Sequence, residues 1–183
     1  MSHRLFIAVD LPEAVRRRLA RLVADAPRGV RPVRPEQIHL TLHFLGDADD
    51  AAMVSLATAL GRVDQPAFAI DLVGIGVFPS RGRPAVLWAG VAESEPLRSL
   101  HGAVADVLMD CGFTPETRPW AAHVTLARLA PQVPREWTAE LLERHRGATE
   151  RGIAVTAIRL YESTRFPEGT VHAPVATIAL GRA

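Results

Sequence analysis

Two short stretches of this chain set an imidazole and a hydroxyl at the same spacing. In IHLTLHFLG, residues 38–46, His39 is followed by Thr41 and His43. In AHVTLARLA, residues 122–130, His123 is followed by Thr125. The two histidines stand 84 positions apart (123 − 39). Each motif lies within an apolar run and reads as a strand. Side chains alternate faces along a strand. His39, Thr41 and His43 are therefore expected on one face, with Leu40, Leu42 and Phe44 toward the core. His123 and Thr125 share a face in the same way, with Val124 and Leu126 behind them. Within each motif the imidazole and hydroxyl stand about 6.6 Å apart.

Two such strands facing one cleft would surround a phosphate with two imidazoles and two hydroxyls. A neutral imidazole can take a proton from an attacking water, and an imidazolium can give one to a leaving alcohol. Threonine hydroxyls can donate to the non-bridging oxygens, where charge builds up in the transition state. This chemistry needs no metal and no cofactor. His39 and His43 are about 13 Å apart on an extended strand, too far to share an ion. No Asp, Glu or Cys accompanies either motif at ligand spacing. His3, His101, His145 and His172 show no partner pattern and read as structural or solvated.

The elements that must carry these motifs repeat. RLFIAVD is a buried strand, and PEAVRRRLARLVADA a helix with Val15, Leu19, Leu22, Val23 and Ala26 at helical spacing. Arg16, Arg17, Arg18 and Arg21 are expected on its solvated face. PRGVRPVRPEQ is a proline-held loop. The first motif strand follows, then a helix with an acidic start at residues 47–63. FAIDLVGIGVFP is a strand, with a bend expected at Gly74 or Gly76. The order then recurs. PAVLWAGVA is a strand, SEPLRSLHGAVADVLMDCG a helix and FTPETRPWA a loop. The second motif strand and VPREWTAELLERHRG, a helix, follow. IAVTAIRLYES and VHAPVATIALG are the closing strands. Leu5 precedes His39 by 34 residues (39 − 5) and Leu87 precedes His123 by 36 (123 − 87). This grammar predicts one bilobal α+β domain of two pseudo-symmetric lobes, with antiparallel-rich sheets facing a central cleft. The first half, approximately residues 1–84, carries one motif, and the second, 85–183, carries the other. An exchange of terminal strands between the lobes is left open.

The 183 residues are 48% hydrophobic with a net charge of +1. That fits a folded domain and gives no global electrostatic argument for nucleic acid. All 21 basic residues are arginine, which weakens any claim that a given Arg was chosen over Lys. The apolar runs are too short to span a bilayer, and the N-terminus lacks the features of a signal peptide. Cytoplasmic residence is expected. Cys111, the single cysteine, allows no intramolecular disulfide and reads as a small apolar residue at a helix end.

HLTLHFLG and HVTLARL resemble the paired His-x-Thr-x signatures of the 2H phosphoesterase superfamily. Within it the chain resembles the bacterial and archaeal RNA 2′,3′-cyclic phosphodiesterases, also called 2′–5′ RNA ligases. RLFIAVDLP, VRPEQIHLTLHFLGD, GVFPSRGRPAVLWAGV and IRLYES carry the likeness over nearly the whole chain. The resemblance implies His39, Thr41, His123 and Thr125 as catalytic residues. It implies Arg128, five after His123, as a phosphate contact. Strict alternation puts Arg128 on the wrong face, so that role requires a twist, a bulge or a strand end before it. His43, where relatives often have Lys, is carried as an accessory substrate-binding group. The expected substrate is an RNA or nucleotide with a 2′,3′-cyclic phosphate end, acted on by a monomer without a membrane. The expected product is a 2′-phosphomonoester, with weak reverse 2′–5′ ligation. Rival readings are an RNA-end-binding module without turnover, a zinc hydrolase, and a diesterase for ADP-ribose cyclic phosphate or 2′–5′ oligonucleotides. Which histidine is the base stays open.

Overall fold

A computed structural model describes residues 2–116, 119–166 and 169–181. The strands are β1 (His3–Asp10), β2 (Val30–Pro32), β3 (His39–Ala48), β4 (Phe68–Ser80), β5 (Arg83–Val91), β6 (His123–Leu129), β7 (Thr149–Val155), β8 (Ala157–Phe166) and β9 (Gly169–Ala179). The helices are α1 (Glu13–Arg21), α2 (Asp50–Ala59), α3 (Glu95–Asp110) and α4 (Arg135–Arg144). The stretch read as one strand, IAVTAIRLYES, is two strands broken at Thr156. The expected loop at residues 27–37 contains β2 and a single 3-10 turn, Pro35–Gln37.

One curled antiparallel sheet runs β7-β4-β5-β6-β3-β1-β8-β9, with β2 also paired to β6. The order is palindromic about the β6–β3 junction. β5 flanks β6 as β1 flanks β3, and β4 and β7 answer β8 and β9. The two motif strands are therefore neighbours at the centre. The C-terminal hairpin β8–β9 completes the sheet beside β1, while β4 lies beside β5 and β7.

Helix ends follow local chemistry. Asp49 caps α2 by accepting from the Ala52 N–H at 2.8 Å, and Ser94 caps α3 by accepting from Leu97 N–H at 3.3 Å. Gly112, at φ +80°, turns the chain out of α3 just beyond Cys111. The helices lay Val15, Leu19, Leu56, Leu100, Val104 and Leu141 into one core with Leu40, Leu42, Val124 and Leu126 of the motif strands. The opposite face of β3 and β6 is left for chemistry. Arg17 and Arg18 are exposed and pair with Glu13 and Glu150. Arg16 departs from the solvated-face expectation: it is half-buried and donates to the Glu36 carbonyl at 3.2 Å. Among the described residues no helix is long and apolar enough to cross a membrane.

Candidate active site

Leu40 of β3 pairs with Val124 of β6, antiparallel. Counting one residue outward from that pair sets His39 beside Thr125 and Thr41 beside His123, all on one face. Each imidazole therefore has its own threonine along the strand and the other lobe's threonine across it. His39 and His123 are anchored alike. Nδ1 of His39 donates to the Gln37 carbonyl at 2.7 Å, and Nδ1 of His123 to the Ala121 carbonyl at 2.7 Å. A carbonyl only accepts, so Nδ1 carries the hydrogen and Nε2 is left for substrate.

The surroundings of the two rings differ. His39 stacks on Phe6 at 5.0 Å, and Phe6 stacks in turn on Tyr161 at 5.2 Å. His172 of β9 meets His39 edge-on at 5.5 Å and Phe6 at 4.8 Å. Burial pushes the His39 imidazole down to about 4, with His172 adding to it and the Gln37 carbonyl and Asp10 opposing. Asp10 lies opposite His39 in register, but its charge is engaged. Arg159 Nη1 holds one oxygen at 2.6 Å, and the Tyr161 hydroxyl donates to the other at 2.7 Å. His123 has Phe78 edge-on at 4.8 Å, and Phe78 meets Trp88 at 5.2 Å. Trp88 lies across Gly76, where an added Cβ would stand 2.3 Å from the indole.

Both motif strands bulge just past the threonine, which corrects the strict alternation. In β6, Leu126 and Ala127 are both buried, and the register with β5 shifts between Leu87 and Trp88. Arg128 then returns to the face of His123 and is exposed. In β3, Leu42 and His43 are both buried, and the register with β1 shifts between Ile7 and Ala8. His43 therefore points away from His39, and the exposed residue is Phe44. His43 Nε2 donates to the His101 carbonyl at 2.9 Å and its ring stacks on His101 at 4.0 Å. Burial lowers both rings, His101 to about 4 with His43 as the second cause. Trp120 covers His101 at 4.1 Å and donates to the Thr41 carbonyl at 3.3 Å. His43 thus buttresses the first motif strand from behind.

The duplication recurs at the level of the family. The model described as LigT like Phosphoesterase matches residues 9–88 and again residues 90–172. The chain belongs to the LigT-like phosphoesterase family. Among LigT-like relatives, a protein of Archaeoglobus fulgidus named RNA 2′,3′-cyclic phosphodiesterase is 30% identical over 171 residues. That match spans 92% of this chain and 96% of the relative. One of the same name from Thermus thermophilus is 39% identical over 156 residues, 75% of this chain and 78% of the relative. The crystal structure of a phosphoesterase superposes with a TM-score of 0.80 at 29% identity, covering 100% of both chains. Escherichia coli LigT complexed with 3′-AMP gives 0.79 at 27% identity, over 98% of this chain and 99% of that one.

Several residues that surround His39 escaped the motif reading. Asp10, Arg159, Tyr161 and His172 come from strands that join the site only through the sheet. Their signal was present: Arg159 and Tyr161 in IRLYES, like Thr170 and His172 in GTVHAP, are polar groups at every second position of a strand. His172, read as structural or solvated, in fact lies against His39. His3 stays outside the site, with Asp50 and Glu162 each at 2.7 Å. Among the described residues, no three of His, Cys, Asp and Glu cluster to hold a metal.

Proposed function

We propose that this chain hydrolyses RNA 2′,3′-cyclic phosphate ends to 2′-phosphomonoesters by two-histidine acid–base catalysis. The observation that carries this reading is the pair of identically anchored imidazoles, His39 and His123, each presenting Nε2 to one face with a threonine beside it. The names of the relatives supply the substrate class.

His39 is the base, because burial keeps its imidazole neutral far below pH 7. Its Nε2 takes a proton from water as the water oxygen bonds to phosphorus. The P–O3′ bond breaks on the opposite side, and protonated His123 gives its Nε2 proton to O3′. Thr41 and Thr125 donate to the non-bridging oxygens. The product is a 2′-phosphate and a 3′-hydroxyl, with a proton gained by His39 and lost by His123. Exchange with solvent resets both. With a 5′-hydroxyl in place of water as the attacking group, the same steps in the same direction form a 2′–5′ linkage slowly.

Phosphorus NMR of the product from a nucleoside 2′,3′-cyclic phosphate, with EDTA present, tests the assignment. A single 2′-phosphate supports it. A 3′-phosphate or an even mixture sinks the bond assignment. No turnover at all favours the RNA-end-binding reading, and loss in chelator with return on zinc favours the metal reading.

A further inference from the structure

Arg31 of β2 lies directly opposite Arg128 of β6. Their neighbours in the ladder, Val30 with Leu129 and Pro32 with Ala127, set the faces. Leu129 and Ala127 are buried in the core, so both arginines stand on the face of His123 and Thr125. Both are exposed. Among the described residues, neither has a carboxylate in ion-pair distance nor a hydrogen-bond partner for its guanidinium. Arg17, Arg18, Arg34, Arg62, Arg98, Arg146 and Arg159 have acidic partners, whereas other exposed arginines such as Arg21 and Arg144 have none among the described residues, so it is the face-to-face placement of Arg31 and Arg128 that sets this pair apart.

Like charges set directly opposite in an antiparallel pair destabilise the sheet. Stability therefore does not account for this pair, whereas a bound anion does. Two guanidinium forks facing one another match the oxygens of a phosphate. The place is specific as well. β2 leads through Pro35–Gln37 into His39, and Arg128 is three residues beyond Thr125. The pair thus closes the end of the cleft beyond His39 and Thr125, about 10 Å along the strand from the reacting group. The equivalent bulged position of the other lobe holds Phe44, beside Phe6 at 6.1 Å.

We propose that Arg31 and Arg128 form a second phosphate site, taking the phosphodiester on the 5′ side of the terminal nucleotide. This rests on the activity proposed above, because a substrate with two phosphates is needed to fill both places. The chain then prefers an RNA end, or any 5′-phosphorylated nucleotide, to a bare nucleoside cyclic phosphate.

The test compares three substrates: a nucleoside 2′,3′-cyclic phosphate, its 5′-phosphorylated form, and a dinucleotide ending in the cyclic phosphate. In the wild-type protein the added 5′-phosphate should raise kcat/KM about tenfold, mostly through KM, as expected for a charge-assisted contact. Arg31→Ala should remove most of that gain, and Arg31→Lys should restore part of it. The slope of log KM against log salt for the dinucleotide should fall by about one in Arg31→Ala. The melting temperature of Arg31→Ala should equal or exceed that of wild type, since a like-charge neighbour is gone. Equal kcat/KM on all three substrates, or an undiminished gain in Arg31→Ala, overturns the proposal. If wild type turns over none of them, the activity reading falls instead. Binding of the unreactive 2′-phosphorylated dinucleotide then decides: tighter binding to wild type than to Arg31→Ala supports the site, and equal binding removes it.

Discussion

Leu40 lies directly opposite Val124 at the junction of the two lobes, and both side chains are fully buried. The relationship is small but it controls the site. Because the strands are antiparallel, that one pair sets each histidine beside the other lobe's threonine. A slip of one residue would turn one motif's histidine and threonine toward the core. The apolar residues between His and Thr are therefore as necessary as the polar ones.

His39→Ala and His123→Ala should each lower turnover by about 10²–10⁴-fold, the usual worth of a positioned acid or base. The double variant should lose far less than the product of the two, since the pair acts as a unit. Single-turnover rates on a nucleoside cyclic phosphate provide the measurement. Near-wild-type turnover in either single variant would end the two-histidine mechanism.

The pH dependence of kcat/KM should be bell-shaped, with the acid limb near pH 4. A base must be neutral, and burial lowers the His39 imidazole to about 4. His172 contributes to that lowering, so His172→Phe should move the acid limb upward, toward the ordinary histidine value. An acid limb that stays put in His172→Phe would show that the His172 ring does not act on His39.

Stability should fall as pH falls through the range from about 6.5 to about 4. His39 and His101 are lowered to about 4, and His43 and His172 are lowered too, all chiefly by burial. The unfolded chain then binds protons first, which favours unfolding across that window. His3 works the other way, because hydrogen bonds to Asp50 and Glu162 raise it. Its contribution is present below about pH 6.5 and is lost as pH rises through its folded value. Melting temperatures by circular dichroism at pH 7, 5.5 and 4.5 should decline in that order. A flat or rising series would contradict the burial of four neutral imidazoles.

Gly90→Ala should cost about 1–3 kcal/mol of stability, the usual price of overpacking. Gly90 pairs with His123, and an added Cβ would stand 2.6 Å from the Val73 carbonyl oxygen, which is backbone and cannot swing aside. Denaturant midpoints provide the measurement. Gly102→Ala, with nothing near its Cβ in α3, is the contrast and should be neutral or slightly stabilising.

Arg128→Ala should raise KM for phosphate-ended RNA far more than Arg21→Ala. Arg128 stands on the face of His123, whereas Arg21 is exposed on α1. Equal effects from the two would remove Arg128 from substrate binding.

The sequence by itself determined the two chemical strands. A period of two is written in consecutive residues, so His39, Thr41, His123 and Thr125 could be set on their faces from a count alone. The repeated element order likewise exposed the duplication, because each helix carries its own apolar spacing. The tertiary structure decided what lies between and beside those strands. The bulges after Thr41 and Thr125 depend on how β1 and β5 pair, so the count failed at His43 and could not recover Arg128. Asp10, Tyr161 and His172 reach His39 through sheet neighbours far apart in sequence, and Tyr161 bonds Asp10 across 151 residues. The Arg31–Arg128 pair likewise exists only in the register of two strands that do not adjoin in the chain. Local periodicity is set by backbone geometry within a strand, whereas pairing partners are set by the packing of the whole core. That is why the paired histidines and threonines were legible and the residues packed around them were not.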